Sequence, residues 1–389
     1  MYYFTALDPN FRIKGSRDPL GFQSIWSAKG RNVVAYLSTV SQNLRDFMIL
    51  AYATHFYRYR DDRYFLNFFL KFEQACAFAR KLYNEEDSFN GAIFVAKNLE
   101  DRKTDNAFPC SLSPRNTILS NQRAYGIYGK YIRPFRDTGI ARDDSFHDIM
   151  DKAFDKCDSN HLKSIIERLI HEKEAVLNAS DLEEIARLIV SPTPEERELY
   201  RNYLLKVPDR DHPQNNLYHV LKNSNISDSE YHLYGFIHTL DDHPETGEKL
   251  RNALKEIEHN EKVLYPLNRG FTYMLNTPHW NKGDIERDPV LDDIRTAAEE
   301  DFLTSDNVTQ LLEIYGLDKP RKIEQIVERN RYICEKRGYR AWIEQENGGY
   351  NILYGENGKH IDSIDYMNGH EYPYFIPTYL NLFNQIERN

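Results

Sequence analysis

Apolar residues recur every three or four positions along much of the chain, the spacing of one buried face of an α-helix. In residues 43–60 this set is Leu44, Phe47, Met48, Ala51 and Tyr52. In residues 64–83 it is Phe65, Phe68, Phe69, Phe72, Ala75 and Cys76. Both stretches predict core helices, and from about residue 145 onward the pattern predicts a chain that is nearly all helix.

Start and stop signals support these helices. Ser180 and Thr193 each precede a glutamate by three positions, the spacing of a capping box at a helix N-terminus. Gly316 is predicted to end one helix and Pro320 to lie at the start of the next, because glycine favours C-termini and proline the first turn. A last helix is predicted over residues 377–386.

Short β-branched or alternating runs predict a few strands. Residues 31–37 and 92–96 are two such runs, and residues 98–118 are predicted to be a polar loop. Near the end, Asn-Gly pairs at 347–348 and 357–358 separate the runs 341–345, 350–354 and 360–365. Since Asn-Gly favours tight hairpin turns, we expect a three-stranded antiparallel meander there.

The predicted fold is therefore mainly α with small β elements. We expect an α+β domain over residues 1–145 and a mostly helical domain over residues 146–389. The second would end in the meander at 340–365 and the final helix.

Composition narrows the class of protein. The 389 residues are 41% hydrophobic and include 27 tyrosines and 21 phenylalanines, too many for a disordered chain. No run of about 18 uncharged apolar residues predicts a membrane span, and the N-terminus lacks the pattern of a secretory signal. The four cysteines are far apart in sequence, which favours reduced thiols in a cytoplasmic protein.

The charge is unevenly distributed. Residues 1–142 hold 21 Lys and Arg against 13 Asp and Glu, a net charge of +8. The remaining 247 residues hold 29 against 47, a net charge of −18. A basic half is typical of a protein that contacts a polyanion, here the phosphate backbone of DNA. The alternative is that the two halves compensate each other internally.

Residues 113–136 are the strongest candidate for nucleic-acid contact, because five cations and three tyrosines occur there without an acid. If residues 121–133 form one helix, Arg123 and Lys130 share a face beside an apolar stripe. Gly126 and Gly129 would then mark a close approach, either of a phosphate backbone or of a neighbouring helix. The cations would contact phosphates and the two amides would read base edges. The candidate residues are Arg115, Asn121, Gln122, Arg123, Lys130, Arg133 and Arg136.

Arg58 and Arg60 extend this candidate surface. They flank Tyr59, an arrangement that suits stacking of a ring on a base. The alternative is a helix end with local ion pairs from these arginines to Asp61 and Asp62.

Catalytic and metal-binding patterns are poor by comparison. A metal-dependent nuclease would need an acid and an Asp-x-Lys on a strand, but Asp101 and Lys103 follow the predicted 92–96 strand instead of lying on it. His232, His238, Asp241, Asp242 and His243 lack the spacing of a zinc motif and fit a capped helix end. We expect no cofactor and no metal.

Three stretches, at residues 12–21, 117–126 and 337–342, resemble uncharacterised accessory proteins of bacterial operons for antiphage defence or DNA modification. This resemblance implies a complex in which the chain serves an ATPase or nuclease subunit. The sequence thus predicts a non-catalytic, DNA-engaging or partner-docking subunit, cytoplasmic and without membrane contact. The alternatives are a metal-dependent nuclease effector and a pure protein-interaction scaffold.

Overall fold

A computed structural model describes residues 18–84, 88–101, 106–224, 226, 232–346, 348–354 and 361–388. The protein is 63% helical with 5% strand, which confirms the predicted fold class. In the part of the chain that the structure describes, no helix is long and apolar enough to cross a membrane.

The helices before residue 230 are α1 (Gln23–Val33), α2 (Leu44–Phe56), α3 (Phe65–Tyr83), α4 (Ala92–Asp101), α5 (Gln122–Tyr125), α6 (Ile127–Thr138), α7 (Phe146–Ala153), α8 (Ser159–His171), α9 (Ala179–Ile189), α10 (Pro194–Tyr200) and α11 (Pro213–Asn223). The later helices are α12 (Leu233–Asp241), α13 (Glu248–Met274), α14 (Lys282–Arg287), α15 (Asp306–Tyr315), α16 (Lys319–Lys336) and α17 (Ile376–Glu387). The strands are β1 (Phe108–Ser111), β2 (Glu174–Leu177), β3 (His279–Asn281), β4 (Ile343–Glu346) and β5 (Gly349–Ile352).

These elements form two compact units, and both are discontinuous in sequence. Of the described residues, unit 1 contains 18–32 and 232–374, and unit 2 contains 33–224, 226 and 375–388. The boundary predicted between residues 145 and 146 lies inside unit 2, where α7 packs against α2 and α10. A change in charge along the sequence therefore does not coincide with a change of compact unit.

Unit 2 is built around α3, which packs against α2, α8, α9 and β1. Its phenylalanines Phe68, Phe69 and Phe72 are fully buried, as the helical spacing predicts. Strands β1 and β2 form a two-stranded antiparallel sheet in which Phe108 pairs with Leu177. The helix α17 returns to this unit and packs against α2 and the π-helical turn Arg201–Leu205.

Unit 1 is built around the long helix α13, which packs against α12, α15 and α16. Its sheet has the order β3-β5-β4, with both pairs antiparallel. Trp280 on β3 is buried and its indole N–H donates to the Met274 carbonyl at 2.9 Å, so the sheet is fixed to the end of α13.

The strands predicted at residues 31–37 and 92–96 are absent, so both predictions were wrong. Residues 92–96 begin α4, because Gly91 adopts a φ of +92° and its carbonyl accepts from the Val95 N–H at 2.9 Å. Val95 is then buried while Ile93 is 90% exposed, a helical and not a strand-like alternation. Residues 31–33 end α1, and residues 34–37 contain no strand.

The C-terminal meander is confirmed only as a hairpin. Strands β4 and β5 pair as expected across Gly348, which has a φ of +87°. The third strand is β3, about 70 residues earlier, and residues 361–365 form no strand. The second Asn-Gly pair, at 357–358, lies outside the described residues. The predicted polar loop at 98–118 also contains β1, which the sequence analysis missed.

Candidate functional site: an arginine-lined cavity

The strongest candidate segment does not form a single helix. It is divided into α5 and α6 by Gly126, whose backbone is extended. A Cβ at Gly126 would come within 2.5 Å of both the Gln122 carbonyl oxygen and Glu73 Oε1. A Cβ at Gly129 would come within 2.1 Å of the Ala124 carbonyl oxygen. Both glycines therefore serve the packing of the protein against itself.

Gln122 is part of the core of unit 2. It is 3% exposed, and its amide donates to the Leu70 carbonyl at 2.9 Å and to Glu73 Oε2 at 2.7 Å. Its carbonyl oxygen accepts from Gln74 Nε2 at 3.0 Å. Since every polar atom of its side chain is already hydrogen-bonded within unit 2, Gln122 is not available for base contacts. Asn121 is exposed and caps α5 by accepting from the Ala124 N–H at 3.1 Å.

The candidate cations are distributed over several surfaces. Arg115 and Arg123 are exposed, and Arg133 is 3.5 Å from Asp137. Lys130 donates to Asn90 at 2.6 Å and lines a cavity of about 1060 Å³. Arg60 pairs with Glu167 and lines a different cavity of about 980 Å³, so its acid partner is neither Asp61 nor Asp62.

Arg58 and Arg136 are brought together at one site. They line a cavity of about 530 Å³ in unit 2, which we call the arginine cavity. Arg142 and His147 line it too, and Asp62 is its single acidic lining residue. The apolar part of the wall consists mainly of Tyr57, Phe65, Tyr128, Ile132 and Phe135. Three arginines and one aspartate therefore line a pocket of a size typical of small-ligand sites, and a second carboxylate, that of Asp151, pairs with Arg58.

Ordinary helix signals place these residues. Arg58 follows the C-terminus of α2, and Arg136 lies in the last turn of α6. Gly139 ends α6 in the left-handed conformation, with a φ of +74°, and leads into a 3₁₀ turn that ends at Arg142. His147 lies in the first turn of α7. Among the described residues, no acid forms an ion pair with Arg136 or Arg142.

A hydrogen-bonded row of side chains ends at this cavity. Asp151 Oδ1 lies 3.1 Å from His55 Nε2, and His55 Nδ1 lies 3.1 Å from His147 Nδ1. Arg58 Nη1 lies 3.2 Å from Asp151 Oδ2 and 2.7 and 2.9 Å from the two ring nitrogens of His55. Burial, together with Arg58, lowers the pKa of His55 to about 4, and burial and Arg58 also lower the pKa of His147. Both imidazoles are therefore neutral at pH 7.

Four residues of this site were not predicted from the sequence: His55, Arg142, His147 and Asp151. The available signal was helical spacing. In the helix predicted over residues 43–60, His55 and Arg58 are three residues apart. His147 and Asp151 are four apart, the other spacing that places two side chains on one helix face. Their meeting depends on the packing of α7 against α2, which no local pattern reveals.

The other sequence candidates remain separate from this cavity. His238 lies 3.4 Å from Glu258, and Asp241 pairs with Arg251 at the end of α12. Within the described ranges, no three His, Cys, Asp or Glu side chains are grouped so that they could hold a metal ion. Lys103 of the nuclease pattern lies outside the described residues.

Comparisons with known proteins give no relative. No family model, no curated protein and no solved structure matches the chain. Any functional assignment therefore depends on the chemistry of the cavity.

Proposed function

We propose that unit 2 binds nucleic acid, with backbone phosphates held at the arginine cavity. The observation that carries this proposal is the convergence of Arg58, Arg136 and Arg142 on one pocket. A guanidinium group donates to two phosphate oxygens at once, and it stays charged at any physiological pH.

Exposed aromatic residues support a nucleic acid over a free phosphate. Tyr59 is 89% exposed, and the Arg58 guanidinium lies 5.2 Å from its ring centroid. Tyr64 is 57% exposed, with Arg63 similarly placed over its ring. Such rings offer stacking surfaces for bases of a single strand, worth about 1–3 kcal/mol per base. Backbone contacts of this kind carry no sequence information, so binding should be largely independent of sequence.

The resemblance to accessory proteins of defence operons extends this proposal. In that setting the protein would be a nucleic-acid-engaging subunit of an antiphage complex, and an ATPase or nuclease subunit would be its partner. The net charge of −18 over residues 143–389 makes a basic partner surface the expected complement.

The test is the salt dependence of binding. Fluorescence anisotropy with a labelled 20-mer, single-stranded and duplex, gives the affinity at salt concentrations from 50 to 300 mM. Each phosphate contact contributes a slope of about −0.7 on a single strand and about −0.9 on a duplex in log K against log salt. Replacing Arg136 and Arg142 together with alanine should therefore weaken binding to every sequence and flatten the slope by about 1.4 to 1.8.

A matched control removes the same charge elsewhere in unit 2. Lys163 and Arg210 are exposed, and neither lines the arginine cavity. Their double alanine variant should change the slope little. An unchanged slope in the Arg136 and Arg142 variant, or equal changes in both double variants, would show that the cavity is not where the phosphates bind.

A further inference from the structure

The row of side chains from Asp151 to His147 fixes the protonation pattern of both imidazoles. The Asp151 carboxylate can only accept, so His55 carries its proton on Nε2. The Nδ1 of His55 is then an acceptor, and His147 Nδ1 must donate to it. In a neutral imidazole only one nitrogen is protonated, so His147 Nε2 has a free lone pair.

Arg58 preserves this pattern. Its Nη1 lies at nearly equal distances from both ring nitrogens of His55, 2.7 and 2.9 Å. An in-plane position at those distances would collide with the carbon between the two nitrogens, so the guanidinium lies over the face of the ring. It therefore leaves the in-plane lone pair of His55 to His147, and its positive charge opposes protonation of both rings.

His147 itself lines the arginine cavity. A neutral imidazole with a free lone pair thus lies in the same pocket as three guanidinium groups. The charged groups that act on it are Arg58 at the end of α2 and Asp148 and Asp151 on its own helix, and Asp62, Arg136 and Arg142 line the same cavity. A base beside a cluster of anion-stabilising donors is one combination that can cleave a phosphodiester.

We propose that the arginine cavity cleaves RNA, with His147 Nε2 as the general base; this inference rests on the proposed binding of nucleic acid. His147 removes the proton from a ribose 2′-hydroxyl, and the 2′ oxygen forms a bond to the adjacent phosphorus. The bond from phosphorus to the 5′ oxygen breaks. The leaving 5′ oxygen takes a proton from water, and the resulting hydroxide takes the proton held by His147. The products are a 2′,3′-cyclic phosphate and a 5′-hydroxyl end.

The chemistry of the lining selects RNA over DNA. Arg58, Arg136 and Arg142 can neutralise charge that develops on the phosphate oxygens, and His147 supplies a base. RNA carries its own nucleophile on the carbon next to the one that bears the reacting phosphate, so these two functions are sufficient. DNA lacks the 2′-hydroxyl and would need an activated water. In this scheme His55 and Asp151 are positioning residues, because they act only through His147.

The experiment compares cleavage and binding in the same samples. A 5′-labelled single-stranded RNA and its all-deoxy counterpart are incubated with the full-length protein in EDTA, and the products are examined by mass spectrometry. Affinity is measured for the same RNA with 2′-O-methyl riboses, which cannot be cleaved by this route. We expect cleavage of the RNA alone, to ends with the mass of a cyclic phosphate.

Three variants separate the roles. His147→Ala should lower the cleavage rate by roughly 10²–10⁴-fold while RNA affinity changes little. Asp151→Asn should lower kcat by roughly tenfold or more at unchanged KM, because the amide no longer fixes the tautomer of His55. His219→Ala, on the exposed face of α11, is the control and should cleave like the unmodified protein.

The outcomes distinguish the two proposals. Binding without cleavage would overturn the inference and leave the proposed function standing, as would cleavage that survives in His147→Ala. Absence of binding to both the 2′-O-methyl RNA and the all-deoxy strand would overturn the proposed function itself. A thermal unfolding scan of each variant shows whether a loss of cleavage reflects a loss of fold, and Asp151→Asn provides the second route to the same conclusion.

Discussion

Gln122 was predicted to read base edges, but the structure places it in the core of unit 2. Replacing it distinguishes these two roles. The replacement Gln122→Ala removes three buried hydrogen bonds, to the Leu70 carbonyl, Glu73 and Gln74. It leaves the Gln74 amide without this acceptor. It also removes one of the two groups that donate hydrogen bonds to the Glu73 carboxyl. The other donor is the Ile127 N–H at 2.5 Å.

The cost follows from those bonds. Burial raises the pKa of Glu73 to about 7, so its carboxyl is mostly ionised at pH 8. At that pH a hydrogen bond to this charged group contributes about 1.5–3 kcal/mol and each neutral one about 0.5–1.5 kcal/mol, so we expect a loss of about 3–5 kcal/mol. For a cooperative unit of this size, each kcal/mol shifts the unfolding midpoint by about 2–4 °C, which predicts a drop of roughly 6–20 °C. Affinity for nucleic acid, measured below the new midpoint, should keep whatever dependence on sequence the unmodified protein shows.

The assay is thermal unfolding followed by circular dichroism, with urea titrations to convert midpoints into free energies. The neighbouring Asn121→Ala is the control. It removes only the exposed cap of a short helix and should cost about 1 kcal/mol. If Gln122→Ala unfolds at the same temperature as the unmodified protein, the structural account of this residue is wrong.

Two further changes test the interior of each unit. Gly126→Ala should destabilise the protein by about 1–3 kcal/mol in urea titrations, because its Cβ would meet the Gln122 carbonyl oxygen and Glu73. Gly235→Ala is the control. Its Cβ would have one neighbour at 4.0 Å, so this variant should be as stable as the unmodified protein or more stable. Burial raises the pKa of Glu261 to about 7, so the folded protein holds this proton more tightly than the unfolded chain does. The contribution of Glu261 to stability should therefore fall as pH rises from about 4.5 to 7, and the destabilisation caused by Glu261→Gln should shrink over that window. A constant difference in urea midpoint between Glu261→Gln and the unmodified protein across this pH range would show that the pKa of Glu261 is not raised.

The elements that were predicted correctly are those whose signal lies within a short stretch of sequence. The spacing of Phe68 and Phe72 identified α3, and the Thr193–Glu196 capping box is present as expected. Near Ser180, the capping box is instead formed by Asn178 and Asp181, a shift of two residues that propensity alone cannot resolve. Residues 92–96 were misassigned because a short β-branched run fits a buried strand and a buried helix equally well.

The remaining errors concern contacts between distant segments. The partner of β5 is β3, which carries no turn signal linking it to the C-terminal hairpin. The arginine cavity differs from the segment predicted as the candidate site for the same reason. The cations of residues 113–136 are contiguous in sequence but divide over several surfaces, whereas Arg58 and Arg136 share a cavity across 78 positions. Clusters of charge along a sequence do not predict clusters in space once the segment turns at a glycine.

The order of the two units along the chain has a consequence for folding kinetics. Unit 2 is completed only by α17, and about 150 residues separate that helix from the end of α11. Closing so long a loop is slow and entropically costly. The two ends of the intervening segment meet within unit 1, because the Tyr234 hydroxyl donates to the Gly369 carbonyl at 3.0 Å. Once unit 1 has folded, the loop that α17 must close is effectively about 15 residues long, which lowers the entropic cost by ~2 kcal/mol. A substitution that slows the folding of unit 1 should therefore delay the docking of α17 in unit 2, although it touches no residue there.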